Sequence, residues 1–446
     1  MAAIIEPRVL KGFRDFLPGE ESRRRKIEET LVATFEKFGF VPIDTPVIEY
    51  AEVLLGKGGG DTDKQVYRFR DHGDRDVALR YDLTVPFARF MAAHAQEIYL
   101  PFKRYHIAKV FRGENTQRGR YREFTQCDFD LVGVDSATAD FEILETLYRA
   151  FRALAIDTVT IRLSHRGVFN ALLDHIGAAS RSADILRTVD KLSKIGAQSV
   201  RSLLGEILPS SDAEKVLQFV HSEGDFASTL KRMIELSGGE TPASRRLKEI
   251  YDLTRELGLE DTIVLDPSIT RGLDYYTGIV YEAFLTDAQE VGAVGAGGRY
   301  DNLASLYTTL ALPGVGASIG LDRLTAALEG LGRGGSSPSG VQVLVLRLDE
   351  RLVPYYHRLA ADARAAGFSC EVYPERKKLA AQFTYAEKKG AIAALVCGED
   401  EHSRGVVGVK DLRTRQSYDG LSPDAAFARL ADLMRVAEDT SQGIDG

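Results

Sequence analysis

The period of the apolar positions changes several times along the chain, and each change marks an element or a boundary. Ile27, Leu31, Phe35 and Phe38 recur at spacings of four, four and three, which stacks them on one face of a helix. Ahead of them, residues 11–19 are rich in turn formers and end on Pro18-Gly19. Gly39 closes the helix and an extended segment begins at Phe40. Pro42 and Pro46 cannot donate to a ladder, which places that segment at a sheet edge or terminus. From about Val66 to Val134, short alternating runs separated by charged turns predict an antiparallel sheet. Residues 139–155 read as a helix with Phe141, Leu144, Leu147 and Phe151 on one stripe. Between roughly His165 and Leu259 the period is helical and reactive side chains are sparse, so an inserted helical module is expected. Strand-like runs return at 263–266 and 279–284.

The stretch 331–340 is Gly/Ser/Pro-rich and reads as a flexible linker. Beyond it, strands are expected at 341–346, 370–373, 391–397 and 406–409, with helices at 352–366 and 378–389. Strands alternating with helices make a small α/β domain. The predicted organisation is a domain over 1–330, its helical insertion at about 165–259, a linker at 331–340 and a second domain over 341–446. There are no internal repeats.

Composition narrows the function without naming it. The 446 residues exceed what one core usually serves, and 44% hydrophobic with 27% charged residues is the balance of a soluble globular protein. No apolar run is long enough to cross a bilayer, and the first residues lack the layout of a signal peptide, so no membrane association is expected. Cys127, Cys370 and Cys397 are too few and too widely spaced for a disulfide framework or a CxxC metal site. A reducing, cytoplasmic setting and no protein-held metal are therefore expected. The net charge of −8 argues against non-specific coating of nucleic acid but leaves room for local basic surfaces. Gly56-Lys57 lacks the upstream glycine and the following Ser/Thr of a P-loop, and the eight histidines form no HExxH pattern.

The most informative stretch is 110–130. Arg112, Arg118, Arg120 and Arg122 lie between strand-like flanks with two glycines and Asn115-Thr116 among them, a hairpin whose loop projects guanidinium groups. Guanidinium matches phosphate oxygens with two parallel donors. On the returning strand Gln126 and Asp130 share parity and so one face. An acidic, polar face beside clustered arginines suits an amine next to a phosphate. The bland alternative is an exposed hairpin of surface ion pairs worth ~0–1 kcal/mol each.

The order of residues separates the two. Residues 110–130 resemble motif 2 of the class II aminoacyl-tRNA synthetases. Residues 38–46 resemble motif 1, and Gly316–Arg323 motif 3. Arg271–Gly278 and Gly297–Leu303 look like the two histidine-specific blocks of the histidyl-tRNA synthetases, and Leu79–Pro86 the family's early substrate-binding block. All six occur in the family's order and span nearly the whole chain. The fold implied is α+β: a class II catalytic domain with an antiparallel sheet flanked by helices, a helical insertion, and a C-terminal α/β anticodon-binding domain.

The function implied is ATP-dependent activation of L-histidine and its transfer to tRNA(His) by a homodimer. The resemblance assigns the histidine ammonium to Asp82, Thr84 and Gln126, and the imidazole to Asp130 and Tyr276, with Leu83 and Tyr275 also counted among the histidine-binding residues. Family members often carry Glu where Asp130 stands, so the reach here is shorter while the carboxylate chemistry is kept. ATP is assigned to Arg112, Glu114, Phe124 and Arg323, with Arg112 and Arg271 on opposite sides of the α-phosphate and Mg2+ on the outer phosphates. Gln117, Arg118 and Arg120 are candidates to touch the tRNA acceptor end. Singly, each residue also has a structural explanation: Tyr275 and Tyr276 as core aromatics, Arg323 as a helix-surface residue. A rival reading is the catalytically silent paralogue that regulates ATP phosphoribosyltransferase. That paralogue lacks the anticodon-binding domain and key motif residues, whereas Arg112, Arg271, Arg323 and about a hundred residues beyond the linker are present here.

Overall fold

The computed structural model describes residues 4–56, 64–221, 225–269, 275–333 and 340–442. Lys57, Arg271 and linker residues 334–339 lie outside the described residues. The chain divides into two compact units, residues 1–14 with 27–332 and residues 15–26 with 333–446.

In chain order, the elements that build the first unit begin with α1 (Pro18–Lys37), whose residues from Ile27 on belong to it, and the strands β1 (Val41–Pro42), β2 (Ile48–Tyr50), β3 (Arg68–Arg70) and β4 (Asp76–Leu79). Next come α2 (Thr84–His94), the hairpin β5 (Phe102–Phe111) and β6 (Glu123–Val132), α3 (Ala137–Ala153) and β7 (Val159–His165). A helical stretch follows: α4 (Arg166–His175), α5 (Ser182–Val189), α6 (Leu192–Gly205), α7 (Ser210–Val220), α8 (Phe226–Leu236) and α9 (Pro242–Glu256). Then come β8 (Ile263–Leu265), β9 (Ile279–Leu285), β10 (Gly295–Arg299), β11 (Gly314–Gly320) and α10 (Leu321–Gly330). Eight strands form one sheet in the order β1-β5-β6-β11-β10-β9-β7-β8, and β2-β4-β3 form a small second one. The large sheet is antiparallel except at its two edges, where β1 runs parallel to β5 and β8 parallel to β7. The edge position of β1 is the one its prolines dictate.

One expectation is corrected. The run 66–134 is not all strand, because Thr84–His94 is a helix. Its Phe87, Ala88 and Met91 are buried, so most of its circumference is apolar and the sequence lacks the polar face that marks a surface helix. Asp82 Oδ1 accepts from Val85 N at 2.9 Å and starts it.

Strand parity splits the large sheet into two chemical faces. Cys127, Phe129 and Leu131 of β6, Val315, Ala317 and Ile319 of β11, and Tyr281, Ala283 and Leu285 of β9 are buried in the main core. That core includes Leu31 and Phe35 of α1 and Leu144, Leu147 and Phe151 of α3, and the Phe35 and Phe129 rings are 4.7 Å apart. The valine, leucine, isoleucine and phenylalanine side chains among them contribute ~1.5–3 kcal/mol each on burial, which pins the register. The alternate residues of the same strands form the opposite, polar face.

The second unit carries β12 (Val343–Val345), α11 (Val353–Ala365), β13 (Cys370–Val372), α12 (Leu379–Lys389), β14 (Ala393–Val396), β15 (Val407–Asp411), β16 (Ser417–Leu421) and α13 (Pro423–Gln442). The sheet order is β13-β12-β14-β15-β16, with β12 parallel to both neighbours. The alternation of strands and helices is the predicted one; β16 and α13 were not foreseen. Buried Gln382 ties α12 to the end of β12, accepting from Arg347 N and donating to Arg347 O, both at 2.8 Å. No helix among the described residues is long and apolar enough to cross a membrane.

Candidate active site

The polar face is assembled by register. Arg104, His106 and Ala108 of β5 stand opposite Asp130, Asp128 and Gln126 of β6. Those three pair in turn with Gly316, Ser318 and Gly320 of β11. Beyond them lie Ala296 and Gly298 of β10, paired with Glu282 and Val280 of β9. These strands floor a cavity of about 370 Å³, of the size that holds small ligands, walled by the first residues of α2, the 112–124 hairpin, Tyr275-Tyr276 and the start of α10.

One end is acidic and buried. Asp130 is 2% exposed; its Oδ2 lies 2.6 Å from an Arg104 Nη without hydrogen-bond alignment, and its Oδ1 accepts from the Tyr300 hydroxyl. The Arg104 guanidinium is also buried, 4.2 Å from the Phe87 ring centroid. Close packing is possible only because the facing positions are glycines. A Cβ on Gly316 would sit 1.9 Å from Asp130 Oδ1, and one on Gly298 2.8 Å from the Tyr276 ring.

Burial raises the carboxyls of Asp82 and Asp130 above the usual range, against the opposing pull of nearby arginines. It pushes Asp128 up to about 7, with Arg104 opposing and the charge of Asp130 adding. Burial first, then neighbouring carboxylates, also drives the Tyr276 phenol upward, so both tyrosines of the pair stay neutral donors. Gln126 Nε2 donates to Ser318 Oγ at 2.8 Å, while Gln126 Oε1 and Asp128 Oδ1 are buried and meet no hydrogen-bond donor among the described residues. Buried acceptors left unpaired cost ~1–3 kcal/mol each. Gln126 Oε1, on the cavity wall, is thus left to accept from a ligand N–H.

The other end is basic. Arg112 is held by its backbone N–H to Arg122 O at 2.8 Å and by Nε to Tyr81 O at 3.1 Å. Its guanidinium lies 4.3 Å from the Tyr81 ring centroid and 5.1 Å from that of Phe124. Arg323, in the first turn of α10, donates from Nη1 to Ala293 O at 2.8 Å. Its guanidinium is held below its ordinary pKa, by burial first and then by the like charges of Arg120 and Arg112. Arg120 pairs loosely with Glu114 at 3.8 Å. Asp322 anchors this wall by accepting from Thr125 N at 2.8 Å and from Arg14 Nη2 at 2.7 Å. Three guanidiniums converging on one cavity repel each other unless an anion lies between them, so this end suits phosphate.

Asp82, Thr84, Arg112, Glu114, Phe124, Gln126, Asp130, Tyr275, Tyr276 and Arg323, expected from the sequence, all line this cavity. Leu83 does not; it is the residue that precedes α2, and its side chain is completely buried. All three tRNA candidates are exposed, and of them Arg120 lines the cavity whereas Gln117 and Arg118 do not. Arg271 lies outside the described residues. Sequence reading passed over Arg104, Asp128, Tyr300 and Ser318. Asp128 was within reach, because the parity that groups Gln126 with Asp130 includes it. Arg104 carries no local signal at all.

A family profile described as histidyl-tRNA synthetase matches residues 12–324, and one described as anticodon binding domain matches residues 342–432. The histidine–tRNA ligase of Treponema denticola is 51% identical over 395 residues, 87% of this chain and 88% of that protein. The histidine–tRNA ligase of Rhodopirellula baltica is 45% identical over 437 residues, 96% of this chain and 99% of that protein. The crystal structure of histidyl-tRNA synthetase from Nostoc sp. PCC 7120 superposes with a TM-score of 0.86 at 30% identity, covering 97% of this chain and all of that one.

Proposed function

Because the chain belongs to the histidyl-tRNA synthetase family, we propose that it uses ATP to activate L-histidine and transfers the histidyl group to the 3′ end of tRNA(His). The observation that carries this reading is the polarity of one cavity: carboxylates and phenols at one end, three guanidiniums at the other. That is the charge pattern of an amino acid laid against a nucleotide.

In the first step a histidine carboxylate oxygen attacks the α-phosphorus of ATP. A P–O bond forms, the bond to the bridging oxygen breaks, and pyrophosphate leaves. The ammonium takes Asp82, Thr84 and Gln126 as acceptors, and the unpaired Gln126 Oε1 supports this assignment. The imidazole lies toward Asp130 and Tyr276. Hydrogen bonds to both ring nitrogens reject rings that lack them, since the site's buried polar groups would then go unpaired. Arg112 binds the α-phosphate and Arg271 approaches it from the other side, so that two fixed cations offset the charge that grows during in-line attack. Phe124 stacks the adenine, Glu114 reads its edge and Arg323 holds the outer phosphates. Mg2+ travels with the nucleotide as a bridge between those phosphates and so belongs to the substrate. In the second step a ribose hydroxyl at the tRNA 3′ end attacks the activated carbonyl, and AMP leaves. Arg120 serves the nucleotide side, and Gln117 and Arg118, exposed at the hairpin tip, meet the acceptor end.

The first unit is the catalytic part, with residues 166–256 as its insertion, and the second binds the anticodon stem-loop. A homodimer is part of the same proposal. It is supported by the likeness of residues 38–46 to motif 1 and by the exposed apolar side chains of Val41, Val47 and Ile48 on and beside the edge strand. The proposed setting is the cytoplasm, where the tRNA is.

Purified protein is expected to exchange pyrophosphate into ATP with histidine as the only amino acid required. Arg271→Ala should lower that exchange by ~10²–10³ while the protein stays folded. Well-folded protein without exchange would point instead to the regulatory paralogue. Near-normal exchange by the variant would remove the role given to Arg271.

A further inference from the structure

The helical insertion reaches the tyrosine segment from behind, through side chains that take no part in either chemical step. Arg299 of β10 has the parity of the core face and is 1% exposed. Its guanidinium lies 2.7 Å from Asp140 of α3, which is fully buried. Asp140 Oδ2 accepts from Arg246 Nε at 2.5 Å, and Arg246 stands on α9, the last helix of the insertion. In the other direction Arg299 Nη1 donates to Asp301 Oδ1 at 3.0 Å, and Asp301 Oδ2 accepts from Thr277 Oγ1 at 2.8 Å. Thr277 N donates to Arg299 O at 2.7 Å, closing the link one residue beyond Tyr276. A second attachment comes from the start of the insertion. Arg166, the first residue of α4, donates from Nη1 to Tyr276 O at 2.8 Å and from its backbone N to Gly278 O at 3.0 Å.

We propose that Arg246 is a positioning residue for histidine recognition: through Asp140, Arg299, Asp301 and Thr277 it fixes the segment that carries Tyr275 and Tyr276, so that the set of the insertion decides how well the imidazole fits. The proposal rests on histidine being the substrate, as argued above. Two features favour a relay over simple packing. The α9 helix is already anchored by fully buried Leu247, Ile250 and Thr254 and by the Thr241–Ser244 capping box, none of which involves Arg246. The Arg246–Asp140–Arg299 links join charged side chains largely shielded from water, where displacing one partner forces the next to follow.

The test uses the full-length chain in histidine-dependent pyrophosphate exchange, with KM for histidine and for ATP measured separately. Arg246→Ala and Thr277→Val should each raise the histidine KM by about tenfold while the ATP KM moves less than about twofold. The double variant should be no worse than the poorer single, because both cut one chain of contacts. Arg246→Lys should recover part of the loss. If Arg246→Ala proves unstable, Thr277→Val, which removes a single hydroxyl, carries the test. An unchanged histidine KM in both variants, effects that multiply, or histidine and ATP KM rising together would each overturn the relay. Wild-type protein without histidine-dependent exchange would overturn the functional reading and the relay with it, whereas normal exchange with indifferent variants would remove the relay alone.

Discussion

Replacing Arg104 with Met asks how much of the site depends on one buried charge. Arg104 and Asp130 are 0% and 2% exposed and 2.6 Å apart, so removing the guanidinium leaves a carboxylate in the interior with only the Tyr300 hydroxyl beside it. Breaking such a pair from one side commonly costs ~3–5 kcal/mol. Two features hold the cost to the lower part of that range. Burial already raises the Asp130 carboxyl, so it can take up a proton instead of remaining charged, and Met keeps apolar contact with Phe87. At ~2–4 °C per kcal/mol for a large domain, the apparent melting temperature near neutral pH should fall by roughly 6–12 °C. The sign with pH is determined as well. Without Arg104 the folded carboxyl titrates still higher, so the stability associated with its protonated form is present in acid and is lost as pH rises through that value. The deficit against wild type should therefore shrink on acidification. Arg104→Met/Asp130→Asn, with no charge left to compensate, should regain most of the stability while the histidine KM stays high. Melting followed by circular dichroism, together with pyrophosphate exchange, reads both quantities. A single variant that melts within about 1 °C of wild type, or a double variant that melts as low as the single, would refute the view that this pair is a coupled, desolvated unit.

Two further perturbations follow from the same geometry. Gly316→Ala places a methyl where Asp130 Oδ1 now sits, 1.9 Å from the ideal Cβ; it should destabilise by ~1–3 kcal/mol and raise the histidine KM more than the ATP KM, and equal kinetics would show that Asp130 does not need its present place. Asp128→Asn tests the carboxyl that burial pushes up to about 7. The folded protein holds a proton there that the unfolded chain releases near the ordinary ~3.9, so this group's stabilisation is full in acid and is lost as pH rises through about 7. Relative to wild type, the Asn variant should gain roughly 2 kcal/mol of apparent stability between pH 5 and pH 7; parallel stability–pH curves for the two proteins would rule that out.

How much was legible depended on whether the signal was local. The α1 stripe of Ile27, Leu31 and Phe35 and the edge prolines of β1 could be read because helix period and ladder chemistry act over a few residues. The α2 helix could not, since a buried helix loses its polar face and its apolar run resembles strand sequence. Leu83 stands between two cavity residues, yet its side chain is completely buried and does not line the cavity, which adjacency in the chain does not reveal. At the hairpin tip both Arg118 and Arg120 are exposed, and only Arg120 lines the cavity.

By itself the sequence determined the family, most of the elements and the residue types at the two ends of the cavity, because short motifs encode turn chemistry, strand parity and charge within reach of neighbouring residues. Only the tertiary structure decided which of those residues share a cavity and what holds them there. Arg104 meets Asp130 through the β5–β6 register, Tyr300 reaches Asp130 across the glycines of β10 and β11, and Arg246 reaches Asp140 from a helix about a hundred positions away in the chain. Such pairings are set by how whole strands and helices align to bury their apolar faces. That is a property of the packed sheet, and no window of sequence contains it.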